Sequence, residues 1–190
     1  DANEENIEKM GSHVEYNKLC HQCKETVKVN QYSMESKEDT PYVEDESAEP
    51  QYLEIVASVF NGRNREGDFE WEIKTNFEPN TLYIFNDNES AHKTSRAGRG
   101  NAVIRKFNRY SKTLPVRSAG ICTGEKGGFK KLTSTVKQLI DSNMEEIRDL
   151  LRSGYYNRVK FSSDGKGSLG TSIFEVGEEV KQYIVESLYG

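Results

Sequence analysis

The sequence predicts an α/β fold in which a parallel sheet is flanked by helices. Three observations carry this. Short β-rich apolar runs recur from Tyr52 onward. One long segment, Leu132–Leu151, has a clean helical apolar stripe. Over the last seventy or so residues strand, loop and helix follow one another twice, the order that crossover connections demand.

Taken in order, Tyr52–Phe60 (YLEIVASVF) is apolar and β-rich and predicts a central strand. Phe69, Trp71 and Ile73 alternate with Glu70, Glu72 and Lys74, which predicts a half-buried strand. Turn residues between the two, Asn61-Gly62 and Glu66-Gly67-Asp68, make a hairpin the natural connection. Leu82–Phe85 is a short buried strand launched from Pro79-Asn80, and Ala102–Ile104 fits strand or helix. Ser118–Cys122 and Arg158–Phe161 read as two further strands. In the long helix the stripe runs Leu132, Val136, Leu139, Ile140, Met144, Ile147, Leu150 and Leu151. Thr133 or Ser134 can cap its start, and Gly154 follows its end. A last helix spans about Glu178 to Leu188.

The chain divides by charge. Residues 1–50 hold five Lys+Arg against 13 Asp+Glu, and residues 51–190 hold 21 against 18. The first fifty residues lack a sustained apolar period, so they read as an acidic, poorly ordered arm, with Thr26–Val29 as one short candidate strand. Residues 51–190 read as the folded domain. No apolar run reaches the ~18 residues of a membrane span, so no membrane partner is expected. No charged-then-apolar leader opens the chain, so no secretory signal is expected. Asp1 rather than Met opens it, which reads as a processed fragment with Met10 as a candidate start. Three cysteines exclude a disulfide scaffold and fit a reducing, intracellular compartment, the cytoplasm.

The chemistry concentrates in two blocks. Phe85-Asn86-Asp87-Asn88 places polar groups at a strand's C-terminal end, and Gly98-Arg99-Gly100-Asn101-Ala102 follows ten residues on. In α/β sheets ligands bind at that edge, and glycines let backbone N–H groups approach a phosphate. The bland alternative is an ordinary turn that uses Asn, Asp and Gly for their backbone freedom. The second block is Ser162–Ser172, with Gly165, Gly167 and Gly170 and several hydroxyls ahead of a helix. Leu169 within it predicts an inward-pointing anchor, which would leave Gly170 facing the ligand.

Residues 93–131 carry eleven basic residues and one acid, Glu125. That asymmetry implies a polyanionic partner. Cys20-His21-Gln22-Cys23 is half of a zinc pattern with no second Cys/His pair after it. His13 could supply a third or fourth ligand and Cys122 lies far away in sequence, so a free thiol pair is the favoured reading and no metal is expected. No cofactor signature, nucleophile elbow or Walker loop is present.

In order and rough spacing, residues 82–188 resemble the macro-domain-like proteins of phages and other microbes. The matching positions are Phe85–Asn88, Gly98–Ala102, Ile121-Cys122-Thr123, the helix from Leu132, and Gly167-Ser168-Leu169-Gly170. Asn86 stands where that family has a small glycine, Asn101 where it has an alanine, and Cys122 where it has a proline. Thr171 stands where the family has an aromatic. The resemblance implies a three-layer α/β/α sandwich with a mixed sheet that binds ADP-ribose or a related nucleotide. It also implies a ligand set of Asn86, Asp87, Asn88, Gly98, Arg99, Gly100, Asn101, Thr123, Gly167, Ser168, Leu169, Gly170 and Thr171. If the domain hydrolyses an ADP-ribosyl bond, the candidate catalytic residues are Asp87, Asn101 and Asp164. Two other classes stay open: a nucleic-acid-binding protein using the 93–131 stretch, and a non-enzymatic interaction protein using the acidic arm.

Overall fold

The computed structural model describes residues 52–60, 65–171 and 174–190. All belong to the unit Glu49–Gly190. The acidic arm expected over residues 1–50, the Thr26–Val29 strand, the Cys20–Cys23 motif and the Asn61-Gly62 turn lie outside the described residues.

Four strands form one sheet in the order β1-β4-β2-β3. They are β1 (Glu54–Val59), β2 (Thr81–Asn88), β3 (Ser118–Gly124) and β4 (Arg158–Ser163). Every pairing between them is parallel. These four strands therefore do not form the mixed sheet that the resemblance implies. The described antiparallel contacts outside them are two isolated bridges, Gly124–Gly128 and Ser163–Leu169.

β2 is central because both of its faces are apolar and covered. Successive side chains of a strand point to opposite faces. Leu82 and Ile84 enter a core with Ile140, Met144 and Ile147 of α2 (Ser134–Leu151) and Val180 and Ile184 of α3 (Glu178–Tyr189). Tyr83 and Phe85 enter a second core with Phe69 and Ile73 of α1 (Phe69–Thr75) and with Ile104. Ile104 lies in a 3-10 segment, Gly100–Phe107, which resolves the ambiguity of Ala102–Ile104. The sheet thus has helical segments on both faces.

α2 begins and packs as its sequence predicts. The Thr133 hydroxyl accepts from the Val136 N–H at 3.2 Å, and Ile140, Met144 and Ile147 are buried at helical spacing. Each such burial contributes about 1.5–3 kcal/mol. Asn143 is buried within the same helix, a polar residue among apolar neighbours.

Two expectations fail. Tyr52–Phe60 does not supply a central strand: among the described residues β1 is at the sheet's edge and pairs with β4 alone, with Val59 exposed. Apolar content reports a strand, but its place in the sheet depends on where the crossovers land. Phe69–Ile73 is no strand either, so it makes no hairpin with β1. The segment is α1, which buries Phe69 and Ile73 one turn apart. The alternating Glu70 and Glu72 are also buried, because cations reach them. Glu70 pairs with Lys74 at 2.8 Å and with Lys106, and Glu72 pairs with Lys160 at 3.0 Å. The helix ends where Asn76 turns left-handed, with the Asn76 and Phe77 N–H groups donating to the Ile73 and Glu72 carbonyls.

Among the described residues no helix is long and apolar enough to cross a membrane.

Candidate functional site

The topology opens a crevice between β2 and β4. After β2 the chain passes to the face that carries α1 and the 3-10 segment. After β4 it passes to α3 on the opposite face. Neighbouring strands whose exits diverge in this way leave a gap at their C-terminal ends. A cavity of about 340 Å³ lies there, within the range of about 300–1,000 Å³ usual for small-molecule sites.

Asn86, Asp87 and Asn88 of β2, Gly98 to Ala102, Arg105, Thr123 to Glu125, Ser162, Gly170 and Thr171 line this cavity. Phe60, Ala91, Phe174 and Val176 add apolar wall. Most of the predicted ligand set therefore meets at one place. Gly167, Ser168 and Leu169 do not line it. Leu169 is a core residue, 3 % exposed, as its anchoring role predicts. Gly167 and Gly165 adopt positive φ in an exposed turn, and Gly170 does not.

Gly170 differs from expectation in a second way. A β-carbon there would lie 2.7 Å from the Ser163 carbonyl oxygen, so its missing side chain faces β4 rather than a ligand. The Gly170 N–H donates to the Ser162 carbonyl at 3.0 Å, and its own carbonyl accepts from the Asn86 side chain at 2.6 Å. Asn86 therefore ties the late loop to the end of β2. Asn88 does the same for the loop after β3, donating to the Glu125 carbonyl at 2.6 Å.

Of the three catalytic candidates, Asp164 lies away from the cavity. It is exposed, and its carboxylate accepts from the Lys166 and Ser168 N–H groups at 2.7 and 3.0 Å. Those two bonds hold its pKa below the usual carboxylate value. It shapes the turn.

The Asp87 carboxylate is fully enclosed. Its Oδ1 accepts from Arg105 Nε at 2.9 Å, from Arg105 Nη2 at 2.5 Å and from the Asn88 N–H at 2.8 Å. Its Oδ2 lies 3.0 Å from His92 Nδ1. Those partners leave no exposed oxygen to accept from a ligand, so Asp87 does not take the place in the ligand set that the resemblance implies. Asn101 remains at the cavity. Among the described residues Arg99, Asn101 and Thr123 have no side-chain hydrogen bond or ion pair, so their polar groups are free to meet a ligand.

Four contributors lie outside the predicted ligand set: Arg105, His92, Asn143 and Glu146. Arg105 lies under the glycine loop: a β-carbon on Gly98 would be 3.1 Å from its Nη1, which donates to the Arg96 carbonyl at 2.9 Å. His92 continues the network away from the cavity. Its Nε2 lies 3.1 Å from Asn143 Nδ2 and 3.2 Å from Glu146 Oε2. Burial disfavours its charged form, but Asp87 and Glu146 outweigh that and raise its pKa above the usual histidine value. The signals were a lone histidine five residues after Asp87 and a polar break in the α2 stripe.

The basic stretch is partly used inside the fold. Arg105 and Arg117 are buried, and Lys106 pairs with Glu70. Cys122 is buried, and its thiol is pushed to a higher pKa by that burial. Among the described residues no cluster of three His, Cys, Asp or Glu could hold a metal.

No protein-family model matches the chain. No curated protein and no solved structure matches it either.

Proposed function

We propose that this chain is a macro-domain-like module that binds ADP-ribose or a related nucleotide in the crevice between β2 and β4. One observation carries the reading. Segments far apart in sequence, 86–88, 98–102, 123 and 170–171, converge on a single cavity. Helical segments on both sheet faces support the three-layer arrangement. The cavity's mix of aromatic wall, free Asn101 and Thr123, and the unpaired Arg99 cation suits a ligand with a flat apolar part and an anionic part.

Binding is favoured over hydrolysis. The Asp87 carboxylate is enclosed and Asp164 is remote, so neither is placed to activate a water beside a ligand. A nucleic-acid role loses support because Arg105 and Arg117 serve the interior.

The test is a thermal-shift and calorimetric panel of ADP-ribose, NAD, ATP, cyclic dinucleotides and short RNA. At 100-fold excess over its dissociation constant, ADP-ribose should add about 2.7 kcal/mol of stability. A flat response to every nucleotide would overturn the reading. A response to RNA alone, falling steeply with salt, would replace it with nucleic-acid binding.

A further inference from the structure

We infer that the buried chain Arg105–Asp87–His92–Glu146 makes the cavity's affinity for an anionic group depend on whether His92 carries a proton. The inference rests on the ligand class proposed above and adds a regulation to that site.

The geometry supplies a partner for each state of the imidazole at the same ring nitrogen. Asn143 Oδ1 accepts from the Cys122 N–H at 2.9 Å, which fixes the amide so that its NH2 faces His92. Neutral His92 can donate from Nδ1 to Asp87 and accept at Nε2 from Asn143. Protonated His92 instead donates from Nε2 to Glu146 Oε2 while keeping the Asp87 bond. Each state gives Nε2 a partner, and protonation takes from the buried Asn143 NH2 the acceptor it has in the neutral state, so the amide reports the charge on the ring.

The groups around the ring define the charge balance. Asp87 faces it from β2, and Glu146 and Asn143 face it from α2. From beyond the 3-10 segment Tyr110 sets its ring edge against the imidazole and donates to Glu146 Oε1 at 3.1 Å. The Cys122 thiol on β3, held neutral by burial, also lies close to the Asp87 and Glu146 charges. Arg105 is reached only through Asp87, with its side chain 6 % exposed at the cavity.

The sign follows from this arrangement. With His92 neutral, Asp87 balances Arg105 alone. With His92 protonated, Asp87 is shared between two cations, and the cavity floor becomes more positive. An anion then binds more tightly. Affinity therefore falls as pH rises through the His92 titration, and by linkage a bound anion makes His92 harder to deprotonate.

The test uses the full chain with isotope-labelled histidine, asparagine and arginine. The His92 ring, the Asn143 side-chain amide and the Arg105 Nε–H are followed by NMR against pH. All three should report one shared midpoint, and Glu146→Gln should lower it. Separate midpoints, or a midpoint indifferent to Glu146→Gln, overturn the relay. Calorimetry with ADP-ribose is then run at about pH 6 and about pH 8.5, either side of the range where histidine changes charge. Affinity should be about fivefold weaker at the higher pH, and the difference should vanish in His92→Gln. Binding that ignores pH overturns the regulation and leaves the ligand standing. No binding at either pH overturns the proposed ligand and the affinity coupling with it, while the shared midpoint still decides the relay.

Discussion

The carboxylate of Asp87 occupies the space that a side chain on Gly120 would fill. Gly120 sits on β3 beside β2, in register with Phe85. Its bare α-carbon lets Asp87 lie flat under the sheet edge and reach both Arg105 and His92. Gly120→Ala should displace the carboxylate and break a buried charge network, at a cost of about 2–4 kcal/mol. Urea denaturation reads this directly. An unchanged midpoint would mean that Asp87 can move aside without loss.

Gly170→Ala should cost stability, because the added carbon would press on the Ser163 backbone 2.7 Å away. A loop shift of that kind costs about 1–3 kcal/mol. The expectation drawn from sequence was the reverse, a change such as Gly170→Val that harms ligand binding and spares the fold. Thermal melts of Gly170→Ala without ligand separate the two: an unaltered melting temperature would restore the sequence-based view.

Arg99→Ala should act on the ligand alone. The residue is exposed, lines the cavity and has no ion pair among the described residues. Its removal should change stability by no more than about 0.5 kcal/mol. A charge-assisted contact to a phosphate is worth about 1.5–3 kcal/mol, so ADP-ribose affinity should drop by about tenfold or more. Equal affinities of wild type and variant in calorimetry would remove Arg99 from the site.

His92 should also make folding stability pH-dependent. Its folded pKa is raised above the ordinary value of 6.5, with Asp87 and Glu146 outweighing the opposing effect of burial. The folded state therefore holds the proton more tightly than the unfolded chain. The stabilisation is complete below about pH 6.5 and is lost as pH rises through the folded-state pKa. Denaturation of wild type and His92→Gln across pH should show a gap that narrows on the alkaline side. A gap that widens there would reverse the assignment.

Much of the fold was legible because its signals are local. α2 announced itself by stripe and cap, and β2, β3 and β4 by short apolar runs. α1 was not, because Phe69-Glu70-Trp71-Glu72-Ile73 alternates like a strand. What makes it a helix is distant: Lys106 and Lys160 neutralise carboxylates that would otherwise have to face water. Asn76, a good left-handed terminator, was the one nearby hint. The site was legible as a set of motifs in order. The state of its groups was not. Nothing near Asp87 in sequence tells that Arg105, 18 residues on, has already claimed its oxygen, or that Gly120 leaves room for it.

The pairing of β1 with β4 bears on the birth of the chain. Glu54 and Arg158 are 104 residues apart, yet they stand opposite each other in the sheet and share an ion pair at 2.6 Å. Of the four described strands β1 leaves the ribosome first, and β4, its partner among them, follows much later. Loop closure over that span is slow to be rewarded, so the edge strand completes the sheet last. Until then the β1 backbone lacks the β4 ladder, and Ile55 lacks the core it packs against in the folded domain. A growing polypeptide of this design passes through a stage in which β1 lacks its β4 partner, and crowding by neighbouring copies would be felt at that edge.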